Sequence, residues 1–194
     1  MDGNRLPYHQ REDGQRYFTN ADMARMVELG MIDPEDRWEL IRGEWFDMPS
    51  ESFEHMDVRS ALMQFFGAVL GFPGPWRVSS EGSLFLSRDT ELRPDLLIYR
   101  ADVGTNEMMG GDIALIAEVM KSSQNRDRML KRPIYAEAGV PELWLIDLDA
   151  GEITLLREPR GRNYASERVV DAETAISPLA FPEITLSLSL LKRD

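Results

Sequence analysis

The chain has 194 residues, with no cysteine and two histidines, His9 and His55. Disulfides, thiolate metal sites and cysteine nucleophiles are thereby excluded, as is a zinc site built from several histidines; any metal must be held mainly by oxygen, which favours Mg²⁺ or Mn²⁺. Twenty-two basic residues against 34 acidic ones give a net charge of −12, which taken alone argues against a nucleic-acid partner.

Hydrophobic residues at 43% and charged residues at 29% describe a globular domain. No apolar run is long enough to span a bilayer. The polar start, "MDGNRLPYHQREDGQRYF", lacks the apolar core of a signal peptide. The expectation is a cytoplasmic protein with no membrane partner. Residues 1–35 read as an N-terminal extension with a short helix, and residues 36–194 as one domain.

In chain order, Thr19 caps a short helix, "NADMARMVELG", that Gly30 ends. "RWELIRGEWFDM" alternates around Arg42-Gly43 and reads as a hairpin. Ser52 opens a longer helix, on which Val58, Ala61, Leu62, Phe65, Phe66, Val69 and Leu70 form an apolar stripe, and "GFPGP" stops it. "WRVSS" and "SLFLS" are short strands split at Glu81-Gly82. "PDLLIY" is a strand with Pro94 at its first residue. Residues 100–112 form a loop, "IALIAEV" a strand, and residues 126–138 a helix ended by Gly139. "ELWLIDL" is a strand that "DAGE" turns into "ITLLRE", and the remainder reads as turns and short strands. This order predicts an α/β fold with a mixed central sheet flanked by helices.

Two of the apolar strands carry one acid each, Asp95 and Glu118, 23 residues apart. An unpaired buried carboxylate is costly. If the strands pair, the acids converge on one sheet edge and repel unless a cation lies between them. A shared divalent cation answers that problem. The other reading has Asp95 capping a turn and Glu118 paired with an arginine, and spacing alone leaves both open. Residues 121–132 follow with Lys121, Arg126, Arg128, Lys131 and Arg132 against Asp127, so positive charge clusters directly after Glu118 despite the acidic total. Asp147 and Asp149 precede a glycine turn, which explains them more simply than a metal pair. "MMGGD" is no phosphate loop, and no serine sits in a nucleophile elbow.

The ordered set "WELIRGEWFDM", "EHMDVRSALMQF", "LRPDLLIYR", "IALIAEVMKSSQNRDRMLK" and "YAEAGVPELWLID" resembles the PD-(D/E)XK nuclease superfamily and, within it, the Uma-two family of putative restriction endonucleases. The resemblance runs from Trp38 to Glu158, with a weaker continuation to the C-terminus. It implies a restriction-endonuclease-like core, with Asp95 and Glu118 as metal ligands. Lys131 takes the place of the motif lysine, which the family moves onto the following helix. Its charge would stabilise the phosphate in flight or lower the pKa of the attacking water. His55 lies where the family has a histidine that positions a water, a phosphate or a metal; its plain alternative is a helix-start residue with one hydrogen bond. Glu81, before Gly82, is a candidate third carboxylate. The sequence departs from the motif at Met120, where the lysine of the standard pattern would stand. Lys121 comes one residue later and is the reserve candidate, and Pro133 threatens to distort the turn that holds Lys131.

The expected function is therefore metal-dependent hydrolysis of DNA phosphodiesters using Mg²⁺ or Mn²⁺, by a homodimer that can cut both strands. Two other readings stand beside it. One is a nuclease fold that has lost activity and serves in binding or assembly, and the other is a metal-dependent hydrolase of small phosphate esters.

Overall fold

A computed structural model of the chain describes residues 8–12, 14–33, 35–48, 50–104, 108–121 and 125–192, and for residues 125–129 the backbone alone. The first elements are β1 (His9–Gln10), β2 (Arg16–Tyr17), α1 (Asn20–Glu28), β3 (Trp38–Ile41), β4 (Glu44–Asp47) and α2 (Phe53–Leu70). Next come β5 (Trp76–Ser79), β6 (Leu84–Ser87), β7 (Thr90–Leu92), β8 (Leu96–Arg100) and β9 (Ile113–Met120). The last are α3 (Asn125–Glu137), β10 (Glu142–Asp147), β11 (Glu152–Arg160), β12 (Asn163–Asp171) and α4 (Leu188–Leu191). These group into two units, Met1–Ser50 with Ser83–Arg93, and Glu51–Gly82 with Pro94–Asp194.

The first unit holds a four-stranded sheet in the order β4-β3-β7-β6. Its β3–β4 hairpin turns at Arg42 and Gly43, with φ of 51° and 79°. Both residues are left-handed, as a two-residue turn matched to strand twist requires. Gly43 is also needed for space, since a Cβ there would lie 2.6 Å from Tyr17 Cβ. Thr19 and Asp22 cap α1 reciprocally: the Thr19 oxygen accepts from the Asp22 N–H, and the Asp22 carboxylate accepts from the Thr19 N–H at 2.7 Å.

The second unit is a six-stranded mixed sheet in the order β12-β11-β10-β9-β8-β5, in which β9 and β10 run parallel and the other pairs antiparallel. All eight residues of β9 are buried, as its unbroken apolar run predicts. Val58, Leu62 and Phe66 recur every fourth residue on α2 and pack with Leu96, Leu115, Ala117, Val119 and Trp144 in one core. Because side chains alternate along a strand, Glu118 points away from that core, toward α3.

The sheet is the predicted mixed one with helices on its faces. Pro133 lies inside α3, which runs to Glu137, in keeping with the helix expected over 126–138. One local feature differs from the sequence reading. The C-terminal region holds a long hairpin, β11 and β12, each of nine residues. The stretch "NYASERVVD" has no apolar alternation of its own, and its strand conformation comes from pairing with β11 from Glu152↔Asp171 to Arg160↔Asn163. Among the described residues, no helix is long and apolar enough to cross a membrane.

Candidate active site

Asp95 immediately precedes β8, and Glu118 is the antepenultimate residue of β9. The antiparallel register pairs Leu96 with Ala117, so the two acids stand opposite one another across adjacent strands. Each is only 6% exposed. Asp95 Oδ2 accepts the backbone N–H of Val119 at 2.8 Å, which ties the start of β8 to the end of β9. Glu118 Oε1 accepts a hydrogen bond of 2.5 Å from the Tyr135 hydroxyl, and Lys131 Nζ lies 3.5 Å from the same oxygen. Lys131 and Tyr135 are one turn apart on α3, so both side chains descend on the same carboxylate. These charge-assisted contacts offset the desolvation of Glu118.

The helix α2 approaches from the other side. Ser52 caps it by accepting the His55 N–H at 3.3 Å. His55 and Arg59, four residues apart, lie on one face of it, and Glu51 stands just before the cap. His55 Nε2 lies 2.8 Å from the Val119 carbonyl oxygen and 3.2 Å from Asp95 Oδ2. A carbonyl only accepts, so Nε2 carries a proton. His55 Nδ1 is buried without a hydrogen-bond partner among the described residues. It sits 3.5 Å from Glu51 Oε2, near enough for charge attraction though not aligned for a hydrogen bond. Burial alone would lower the His55 pKa. The hydrogen bond to Asp95, the charges of Asp95 and Glu51 and the Val119 carbonyl outweigh that effect, and the pKa is raised.

Arg59 lies among three carboxylates. One of its terminal nitrogens is 2.8 Å from Glu51 Oε1, 2.6 Å from Glu81 Oε1 and 3.9 Å from Asp95 Oδ1. Glu51 is thus divided, one oxygen toward Arg59 and the other toward His55.

The donor chemistry fits a divalent cation. Glu51, His55 and Asp95 each offer one ligand atom, all within 4.8 Å of one another, and the unpartnered His55 Nδ1 lies 3.5 Å from Glu51 Oε2. Two carboxylates and one imidazole suit an ion that prefers oxygen and tolerates nitrogen.

Of the residues singled out in the sequence, Asp95, Glu118, Lys131 and His55 come together here. Lys121 does not join them: it is half-exposed, with Nζ 3.1 Å from Glu54 Oε2. Glu81 meets the group through Arg59. The side chains of Arg126 and Arg128, part of the basic cluster, lie outside the described residues. Glu51, Arg59 and Tyr135 were not foreseen. The signals that point to Arg59 and Tyr135 are the four-residue spacings 55-59 on α2 and 131-135 on α3, whereas Glu51, before the cap of α2, carries no helical signal.

A family model, Uma2, described as "Putative restriction endonuclease", matches residues 22–189. A crystal structure described as "a putative nuclease belonging to DUF820", from Anabaena variabilis, is similar with a TM-score of 0.70 and 18% identity, covering 90% of this chain and 97% of that one. At that identity the likeness speaks for the fold, a restriction-endonuclease-like one. No curated protein matches the chain.

Proposed function

The chain belongs to the Uma2 family, and from that premise we propose that it is a divalent-metal-dependent endonuclease that hydrolyses the phosphodiester bonds of DNA. The observation that carries this reading is a pair of buried acids at neighbouring strand ends, each with its own partner: Asp95 with His55 at 3.2 Å, and Glu118 with Lys131 at 3.5 Å. Asp95 and Glu118 are the acids that would hold the ion, with His55 of α2 and Glu51, just before that helix, beside Asp95. A bound Mg²⁺ or Mn²⁺ would polarise the phosphate and supply an activated water.

Lys131 places a positive charge at this acidic site, where it stabilises charge gathering on the phosphate. Lys121, drawn toward Glu54, is the weaker candidate for that role. The Val119 carbonyl fixes the proton of neutral His55 on Nε2, which holds the ring in one orientation beside Asp95. Attraction to a nucleic-acid backbone has to come from local basic residues, because the total charge of −12 opposes it. Two sites related by a two-fold axis would cut both strands, so the functional form is a homodimer, acting in the cytoplasm.

The test is incubation of supercoiled plasmid with Mg²⁺ or Mn²⁺. Wild-type protein should yield nicked and linear DNA, and Asp95→Ala should yield none. Equal cleavage by both would sink the proposal.

A further inference from the structure

We propose that Tyr135 is a positioning residue that keeps Glu118 and Lys131 from closing into a tight ion pair, so that the carboxylate's charge stays with the metal and the ammonium's with the phosphate. The inference deepens the metal-dependent reading above and rests on it.

Glu118 and Lys131 are both buried. Opposite charges in that setting attract with little screening. A cationic N–H donor on a carboxylate ordinarily stands about 2.7–2.9 Å from the oxygen. Two arginine pairs of the same unit reach such contact, Arg157 with Glu142 at 2.7 Å and Arg59 with Glu81 at 2.6 Å. Lys131 Nζ stops at 3.5 Å from Glu118 Oε1. The donor that does close on this oxygen is the Tyr135 hydroxyl, at 2.5 Å. Tyr135 is 0% exposed and stands one turn after Lys131 on α3, so helix geometry delivers phenol and ammonium to one oxygen together.

The two donors differ in charge. A phenol offsets the desolvation of a buried carboxylate and leaves its negative charge in place. An ammonium at the same distance cancels that charge. A carboxylate closed on lysine draws a divalent ion less strongly, and a lysine so closed has less to offer a phosphate. Carboxylates that bind metals are commonly held by a hydrogen-bond partner behind them, and losing that partner typically costs about 10–100-fold in metal affinity or activity. Tyr135 is that partner for Glu118, and its neutrality is what lets both neighbouring charges act outward.

Titration of the full-length chain with Mn²⁺, followed by loss of the free-ion electron paramagnetic resonance signal, reads ion affinity without turnover. Tyr135→Phe keeps the ring in the core and removes one donor. It should weaken Mn²⁺ binding about tenfold or more, as Lys131 closes on Glu118. Tyr135→Phe combined with Lys131→Met should return to within about threefold of wild type, because the competing ammonium is gone. A hydroxyl that served stability alone would give no such recovery. Lys131→Met by itself should change the affinity by less than about threefold, since Tyr135 already holds the ammonium off. That arm stands if Tyr135→Phe does not fold: a gain of about tenfold there would show that Lys131 competes in the wild type and would overturn the inference. Wild-type affinity in folded Tyr135→Phe, or a double variant as weak as Tyr135→Phe, would overturn it equally. Absence of Mn²⁺ binding in the wild type would remove the metal-dependent reading itself, and the role of Tyr135 with it.

Discussion

Lys131 and Lys121 share a charge and differ in every other respect. Lys131 is 8% exposed and aimed at Glu118, one turn from the Tyr135 hydroxyl that fixes the same oxygen. Lys121 is half-exposed, and its surface pair with Glu54 contributes at most about 1 kcal/mol. If Lys131 stabilises charge at the phosphate, Lys131→Met should lower the cleavage rate by roughly 10²–10³ while Mn²⁺ affinity stays intact or improves slightly. Lys121→Met should leave the rate near wild type and make the salt dependence of DNA binding shallower. Measured side by side on one plasmid substrate, equal and negligible losses would show that neither lysine acts in the reaction.

At the scale of elements, the C-terminal segment is tied to the sheet by Glu142, which opens β10 and is 0% exposed. Its Oε1 accepts from Trp144 Nε1 at 2.9 Å and from Arg157 Nε on β11 at 2.8 Å. Its Oε2 accepts the Leu179 N–H at 2.6 Å, and Arg157 in turn donates to the Ser177 carbonyl at 2.8 Å. A buried carboxylate with this many donors is costly to disrupt from one side, because the partner charge is left without compensation. Glu142→Ala should therefore destabilise the protein by about 3–5 kcal/mol, seen as a lower urea midpoint with an unchanged slope. Replacing both partners, Glu142→Leu with Arg157→Leu, should recover much of that loss, since an apolar pair is often as stable as a buried ion pair. A single-variant loss below about 1 kcal/mol would mean that the network is incidental.

For the whole molecule, the balance of charge and the assembly matter most. A net charge of −12 repels DNA at long range, so the proposed binding would have to rely on local basic residues. Cutting a duplex is simplest for two copies related by a two-fold axis, and β12 is one of the two edge strands of the larger sheet, where a second copy could pair. Light scattering at micromolar concentration should report twice the mass of one chain. A monomer throughout would set the homodimer aside and leave nicking of single strands as the activity to seek.

The sequence by itself marked the two acids that the strands bury. Asp95 after Pro94 and Glu118 in an unbroken apolar run were visible because burial of an acid conflicts with its surroundings, and that conflict is local. The Arg42-Gly43 turn, the Ser52 cap and the α2 stripe were visible for the same reason: each depends on neighbours within a turn or so of chain. What only the tertiary structure decided is who answers those acids. His55 reaches Val119 across 64 residues, and Tyr135 reaches Glu118 across 17. Arg59 finds Glu81 and Asp95 because α2 packs against the sheet at that place. Likewise β12 is a strand because β11 offers it a ladder, and Glu142 is tolerated because Arg157 and Leu179 arrive from later in the chain. Local periodicity records which face of an element is apolar; it carries no record of which distant polar group packing will bring to a buried charge.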